Sequence, residues 1–230
     1  MSDRYAVVPR NEQPGWSFER CTASAAVLHA WQPPAGGRIA RWCEVDAPAL
    51  VVGSAQRETT IDKVACARRS IDVVRRRSGG GAVLTWPAEL IWFDVVVPAG
   101  DRLWDDDIGR SMWWFGDVWA AALQSCGLDG VDVHRGPLQH SLWSSIVCFE
   151  GLGAGEVTIG GRKAVGISQR RTRQWAWMQA SVHVRWRGDV VRSLMVDPTG
   201  NGPALREPFC LGDELVDPLR RALEQQLSYV

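Results

Sequence analysis

Two segments of this sequence combine fixed charge with backbone freedom. The first is RRRSGGGAV, residues 75–83. Three consecutive glycines, Gly79, Gly80 and Gly81, follow a strand-like run, so the main chain there can take conformations closed to other residues and aim several N–H groups at one ligand. With Arg75 and Arg76 beside them and Ser78 offering a hydroxyl, such a loop suits a phosphate, a carboxylate or a thioester carrier. It reads equally as a glycine hairpin flanked by solvated arginines. It is not a Walker loop, because no Lys-Ser/Thr follows the glycines, and not a dinucleotide fingerprint, because Thr85 and Trp86 lead into no helical pattern.

The second is GGRKAVGISQ, residues 160–169. Lys163 stands after a Gly-Gly turn, at the start of an apolar strand that carries Gly166, Ile167 and Ser168. An ammonium there could polarise a carbonyl or bridge a phosphate, although most lysines beside a hairpin are simply solvated. Cys148, fifteen positions earlier, is one of six cysteines, with Cys21, Cys43, Cys66, Cys126 and Cys210. Taken alone it reads as a buried thiol. Neither Cys-x-x-Cys nor His-x-x-x-His spacing occurs, so no metal site is indicated and the thiols read as reduced.

The elements that must position these residues alternate between strand and helix with short breaks, which points to a mixed α/β (α+β) domain without internal repeats. Residues 17–31 read as a helix, broken by Pro33, Pro34, Gly36 and Gly37. Residues 38–44 and 49–53 read as two strands, neighbours in one sheet. Residues 60–70 are helix-like, 71–75 and 82–84 flank the glycines as strands, and 90–97 form a strand closed by Pro98 and Gly100. Ile108, Met112, Phe115, Trp119, Ala122 and Cys126 recur at steps of three and four behind Asp105, Asp106 and Asp107. That spacing predicts a packing helix over 105–126 with a buried apolar face. Strands are expected at 131–134, 145–149, 156–159, 162–169 and 175–186. Helices are expected at 189–195 and 213–227, joined by a Pro/Gly linker.

The 230 residues carry 26 basic and 26 acidic side chains, with a sequence pI near 6.9, so no global field favours nucleic acid or an anionic membrane. A nucleic-acid reading would rest on Arg75, Arg76 and Arg77 with Arg170, Arg171 and Arg173, and the zero net charge argues against it. Residues 1–13 lack the apolar stretch of a signal peptide. No apolar run approaches the roughly 18 residues of a membrane span, so a cytoplasmic location is expected. Thirteen Trp against five Phe and two Tyr read as bulky core, since a base-stacking platform would come with a basic groove.

Together, the glycine and lysine motifs closely resemble the lipoate protein ligase and octanoyltransferase family, whose catalytic domain is akin to that of biotin protein ligases. Residues 42–56, WCEVDAPALVVGSAQ, are similar to the family segment that ends in a "VIGRAQN"-like strand, and the resemblance runs from about Trp16 to Trp186. It implies a biotin/lipoate protein ligase-like fold and attachment of an octanoyl or lipoyl group to the lysine of a lipoyl domain or of the glycine-cleavage H protein. Residue by residue, it makes Arg75, Arg76, Ser78, Gly79, Gly80 and Gly81 the loop around the acyl head group. Lys163 becomes the lysine at the activated carbonyl. Gly53, Ser54 and Gln56 lie at the end of the neighbouring strand, and Gly166, Ile167 and Ser168 line the far side of the tunnel. Lys163→Ala is expected to abolish turnover and leave folding intact.

Thr85 and Glu89 stand where adenylate-forming members usually have a histidine and then an asparagine, and Gln179 where they commonly have a histidine. Only about 44 residues follow Trp186, fewer than the roughly 50 of an independent domain, so 1–230 is expected to be one catalytic domain, with 197–230 a linker and closing helix. The segment Ile146, Val147, Cys148, Phe149 resembles the cysteine segment of the single-domain octanoyltransferases. On that resemblance Cys148 takes the acyl group as a thioester from an acyl carrier protein or acylated protein, and no cofactor is required. An ammonium near the sulfur and a two-step transfer make chemical sense of the pair. An ATP- and Mg-dependent ligase, in which Cys148 is idle, and a non-catalytic module that binds an acyl carrier or lipoyl domain are the alternatives.

Overall fold

The computed structural model describes residues 6–7, 10–13, 15–34, 36–198, 200 and 202–230. The readings of 1–13 as lacking a signal peptide and of 197–203 as a linker fall partly outside them. In chain order the elements are β1 (Ala6–Val7), β2 (Arg10–Gln13), β3 (Trp16–Ala23), α1 (Ala25–Ala30), β4 (Arg38–Val45), β5 (Ala49–Val52) and α2 (Lys63–Arg68). They continue with β6 (Asp72–Arg75), β7 (Val83–Thr85), β8 (Leu90–Pro98), α3 (Trp113–Ser125), β9 (Val131–Val133) and β10 (Val157–Ile159). The last are β11 (Arg162–Arg171), β12 (Trp175–His183), α4 (Gly188–Leu194) and α5 (Val216–Leu227).

Among the described residues the strands form a nine-stranded sheet in the order β1-β3-β4-β8-β12-β11-β10-β9, with β2 also on β3, and a three-stranded sheet β6-β5-β7. The large sheet is antiparallel except between β3 and β4. β8 and β12 sit at its centre and are buried on both faces, because both faces are covered. One face packs Phe93, Val95, Met178 and Ala180 against Phe115 and Trp119 of α3 and Leu219 and Leu223 of α5. The other face meets the small sheet, and the glycine loop lies in the seam between the two.

Several expected elements differ. Residues 17–31 are not one helix: β3 pairs in parallel with β4, and only the six residues of α1 are helical, capped where the Ser24 hydroxyl accepts from Val27 N–H. Residues 38–44 and 49–53 are strands, but in different sheets, because the turn at Asp46 and Pro48 carries the chain from one layer to the other. The helix expected over 105–126 begins at Trp113, after a 3-10 turn at Arg110–Met112. Ahead of it Asp105 and Asp107 accept from the N–H groups of Asp107 and Arg110 and shape a loop instead. Phe115, Trp119 and Ala122 are buried as expected, whereas Ile108 is 64 % exposed. Residues 145–149 are not a strand. A lone parallel bridge joins Ala82 to Val147, and the chain then coils into a 3-10 turn, Cys148–Glu150.

No helix of the described residues is long and apolar enough to cross a membrane. Three buried groups of the core are shifted in a way that matters at acid pH. Asp94 accepts from the indole N–H groups of Trp92 and Trp177 at 2.5 and 2.9 Å, and burial pushes it up to about 6. His29 and His183 are pushed down to about 3, each chiefly by burial and then by Arg76 and Lys163 respectively. Between pH 4 and 6 the folded chain binds one proton more than the unfolded chain at Asp94 but fewer at the two histidines, so the histidines outweigh the carboxyl by about one proton. Stability is therefore expected to rise with pH across that window by roughly 1.4 kcal/mol per pH unit from these groups. Urea unfolding at several pH values, with His29→Asn and His183→Asn flattening the slope, checks this.

Candidate active site

The glycine loop is tied down by two of its three arginines. Arg75 donates to the carbonyls of Gly53 and Gln56, both at 2.8 Å, and of Ser54 at 3.2 Å. Arg76, buried, donates to Gly79 O at 2.7 Å and Gly81 O at 2.9 Å. The loop thus folds its carbonyls onto guanidinium groups, while the N–H groups of Gly79, Gly80 and Gly81 donate to nothing among the described residues. A turn of this kind presents free N–H groups to an anion. Its tightness depends on Gly53, where a Cβ would stand 1.8 Å from Gly80 O. Gly53→Ala is expected to displace the loop and lower stability by about 2–4 kcal/mol, measurable by denaturant unfolding.

Lys163 reaches the same place from the start of β11. Its ammonium donates to Cys148 O at 2.9 Å and Gly151 O at 2.8 Å, pairs with Glu156 Oε2 at 2.6 Å, and lies 4.0 Å from Cys148 Sγ. Glu156 is buried as well and accepts from the N–H groups of Gly153 at 2.7 Å and Ile167 at 3.0 Å. Arg76 lines the same cleft as Cys148 and acts on it electrostatically, and burial pushes the Arg76 pKa down. The sulfur therefore shares its cleft with two cations, both held by acceptors that fix their positions. Gly166 packs beside it, where a Cβ would lie in ordinary contact, 3.6 Å from Sγ.

Two cavities meet at Cys148. The outer cleft, about 250 Å³, is lined by Arg76, Gly79, Gly80, Gly81, Cys148, Glu156, Lys163, Ile167 and Ser168, with Ile108 and Leu138 at its rim. The inner pocket, about 40 Å³, runs between Val51 and Val83 of the small sheet and Trp92, Gly166, Ile167 and Ala180 of the large one, with His29 and Gln179 among its walls. Of the residues singled out in the sequence, Arg75, Gly53, Ser54, Gln56 and Ser78 line neither. Gln56 is buried against Ile146 O, and Ser78 bridges Ser168 at 3.0 Å and Gln179 at 3.1 Å. These five support the loop from behind.

Glu156 and His29 were not legible as site residues. Glu156 had one signal: in the hairpin around Gly160-Gly161 it lies two positions from Thr158, the cross-strand partner of Lys163, hence on the same face. His29 lies 3.3 Å from the Gln179 amide and 4.5 Å from the Trp92 ring. It was hidden inside the expected long helix. Thr85 bonds Ala49 O at 3.0 Å, so it ties β7 to β5.

The chain matches the family described as the lipoyl protein ligase A/B catalytic domain over residues 22–229. No curated protein matches it in sequence. Among solved structures it is similar to a lipoate-protein ligase A bound with ATP, at 20% identity over 89% of this chain and 76% of that one, TM-score 0.64. It is also similar to a putative lipoate protein ligase from T. acidophilum with bound lipoic acid, at 18% identity over 88% and 76%, TM-score 0.63. A bipartite lipoate protein ligase from Thermoplasma acidophilum, solved in work on that archaeal lipoylation system and its E2 lipoyl domain, gives 18% identity over 89% and 74%, TM-score 0.62. At these identities the likeness is one of fold.

Proposed function

The chain belongs to the lipoyl protein ligase A/B catalytic-domain family, and from that premise we propose that it transfers an octanoyl or lipoyl group to the lysine of a lipoyl-type domain through a thioester on Cys148. The observation that carries the reading is the position of Sγ, at the junction of an apolar pocket and an open cleft and 4.0 Å from the Lys163 ammonium. Positive charge beside the sulfur is the setting in which a thiolate acts as nucleophile.

In the first step Sγ attacks the carbonyl of the donor thioester, the carbonyl electrons move onto oxygen, and the tetrahedral adduct collapses to release the donor thiolate, which takes up a proton. The free N–H groups of the glycine loop donate to the oxyanion, and the Lys163 ammonium, whose three hydrogens are already engaged, acts on it through its charge. In the second step the neutral amine of the acceptor lysine attacks the Cys148 thioester, an amide forms, and the Cys148 thiolate is released while the amine loses a proton. The acyl chain occupies the inner pocket. At about 40 Å³ that pocket is far smaller than the roughly 150 Å³ that takes a benzene, so the chain needs more room than the pocket offers in this structure.

Thr85 and Gln179 in place of the histidines of adenylate-forming members support the thioester over adenylation. The acceptor assignment draws on the E2 lipoyl domain of the archaeal system. The same reading treats 1–230 as one catalytic unit in which α5 packs on α3, acting in the cytoplasm with an acyl carrier protein or acylated protein as donor. The test is transfer from octanoyl carrier protein to a lipoyl domain without ATP. Transfer that proceeds supports the reading. A requirement for ATP and free acid would replace it with an adenylating ligase, and binding without turnover would replace it with a non-catalytic module.

A further inference from the structure

The inner pocket has Val51, Val83, Trp92, Ile167 and Ala180 among its walls, and His29 of α1 breaks into that apolar lining. His29 is only 8 % exposed. Its ring lies against Trp92, with centroids 4.5 Å apart, and its Nδ1 stands 3.3 Å from the Gln179 amide nitrogen. Gln179 decides which ring nitrogen carries the proton. The Ser78 hydroxyl donates to Gln179 Oε1 at 3.1 Å, so the amide nitrogen is the atom turned to the ring and, having only hydrogens to give, it donates to Nδ1. Burial, then Arg76, push the His29 pKa down to about 3 and keep the imidazole neutral. The single ring proton is therefore on Nε2. That N–H meets no acceptor among the described residues. A donor buried this far is costly to leave unpaired, and a few placed polar groups in an apolar pocket are what fix the identity of its ligand.

We infer that His29 donates from Nε2 to an acceptor atom carried toward the far end of the acyl chain, so that the pocket selects functionalised chains over plain octanoyl. The inference rests on the placing of the acyl chain in the inner pocket and names the class of chain that this reading leaves open. Gly166 lies against Sγ, Ser168 stands two residues further along β11, and Gln179 pairs with Ser168 across the sheet. Those steps are roughly 7 Å along the strand and 5 Å across it, so His29, beyond Gln179, faces the outer carbons of a chain held at Sγ and not its carbonyl. An oxygen on those carbons is a good acceptor and the sulfur of a lipoyl ring a weak one, and the donors below separate the two.

Steady-state transfer is measured from carrier protein loaded with octanoyl, 7-oxo-octanoyl or lipoyl groups, for the wild type, His29→Phe and His29→Gln. In the wild type kcat/KM is expected to be about tenfold or more higher for the oxo chain than for octanoyl. The ratio should fall to about one or below in His29→Phe and recover in part in His29→Gln, whose amide can place an N–H near the Nε2 position. Each ratio is taken within one protein, so a loss of folded material leaves it unchanged. The same fall for the lipoyl chain alone would make the ring sulfur the acceptor. A wild type that favours octanoyl over both other chains, or ratios that His29→Phe leaves in place, would overturn the inference. Calorimetric titration of the free acids keeps this outcome apart from failure of the thioester reading. If no donor is turned over, that reading has failed, yet tighter binding of 7-oxo-octanoate or lipoate than of octanoate, present in the wild type and lost in His29→Phe, still supports the donor at His29, and equal binding rejects it.

Discussion

Cys148→Ser is expected to lower acyl transfer from a thioester donor by about 10³-fold or more while leaving the fold in place. A hydroxyl fills nearly the same volume, so the contact with Gly166 and the 3-10 turn at Cys148–Glu150 survive. What is lost is the polarisable, ionisable sulfur that shares its cleft with Arg76 and Lys163. The measurement is the initial rate of octanoyl transfer to a lipoyl domain, with circular dichroism as the control for folding. A variant that keeps most of its rate would mean that the sulfur is a bystander in the cleft.

Lys163 carries the second large effect, and the structure revises how its removal should be read. Its ammonium is buried, paired with Glu156 and bonded to two carbonyls, so Lys163→Ala would leave a buried carboxylate without its cation. A stability loss of about 3–5 kcal/mol is expected, in place of the intact fold expected from the sequence for a lysine acting only on the substrate. Transfer should fall about 10²–10³-fold through loss of oxyanion stabilisation. The double variant Lys163→Met/Glu156→Gln separates the two effects. It removes the buried charge together with its partner, so stability should largely return while transfer stays low. Recovery of transfer together with stability would make Lys163 a structural residue only.

The sheet strands with strong apolar runs were legible, as was the placing of the glycine loop and Lys163 on one cleft. β8 is long and largely β-branched or aromatic, β12 opens on two tryptophans, and the period of α3 from Phe115 to Ala122 reports real burial. What escaped the sequence depends on contacts distant in the chain. β3 looked helical because its buried positions, Trp16, Phe18, Cys21 and Ala23, change phase midway, and only pairing with β4 makes it a strand. The stretch before Cys148 has the composition of a strand, yet its amides go to single partners: Cys148 N–H to Ala82 O and Val147 N–H to Trp143 O. That departure from a strand brings the thiol beside Lys163. Glu156 stayed invisible because nothing in its neighbours marks a buried acid until the hairpin register sets it beside the lysine.

The central claim is that Cys148 carries the acyl group, and peptide mass spectrometry tests it most directly. The protein is incubated with octanoyl carrier protein in the absence of acceptor, quenched in acid and digested. One octanoyl group is predicted on the peptide containing Cys148, labile to hydroxylamine, discharged by added lipoyl domain, and absent from Cys148→Ser. An unmodified Cys148 in a preparation that lipoylates its acceptor with ATP would contradict the account and make the protein an adenylating ligase.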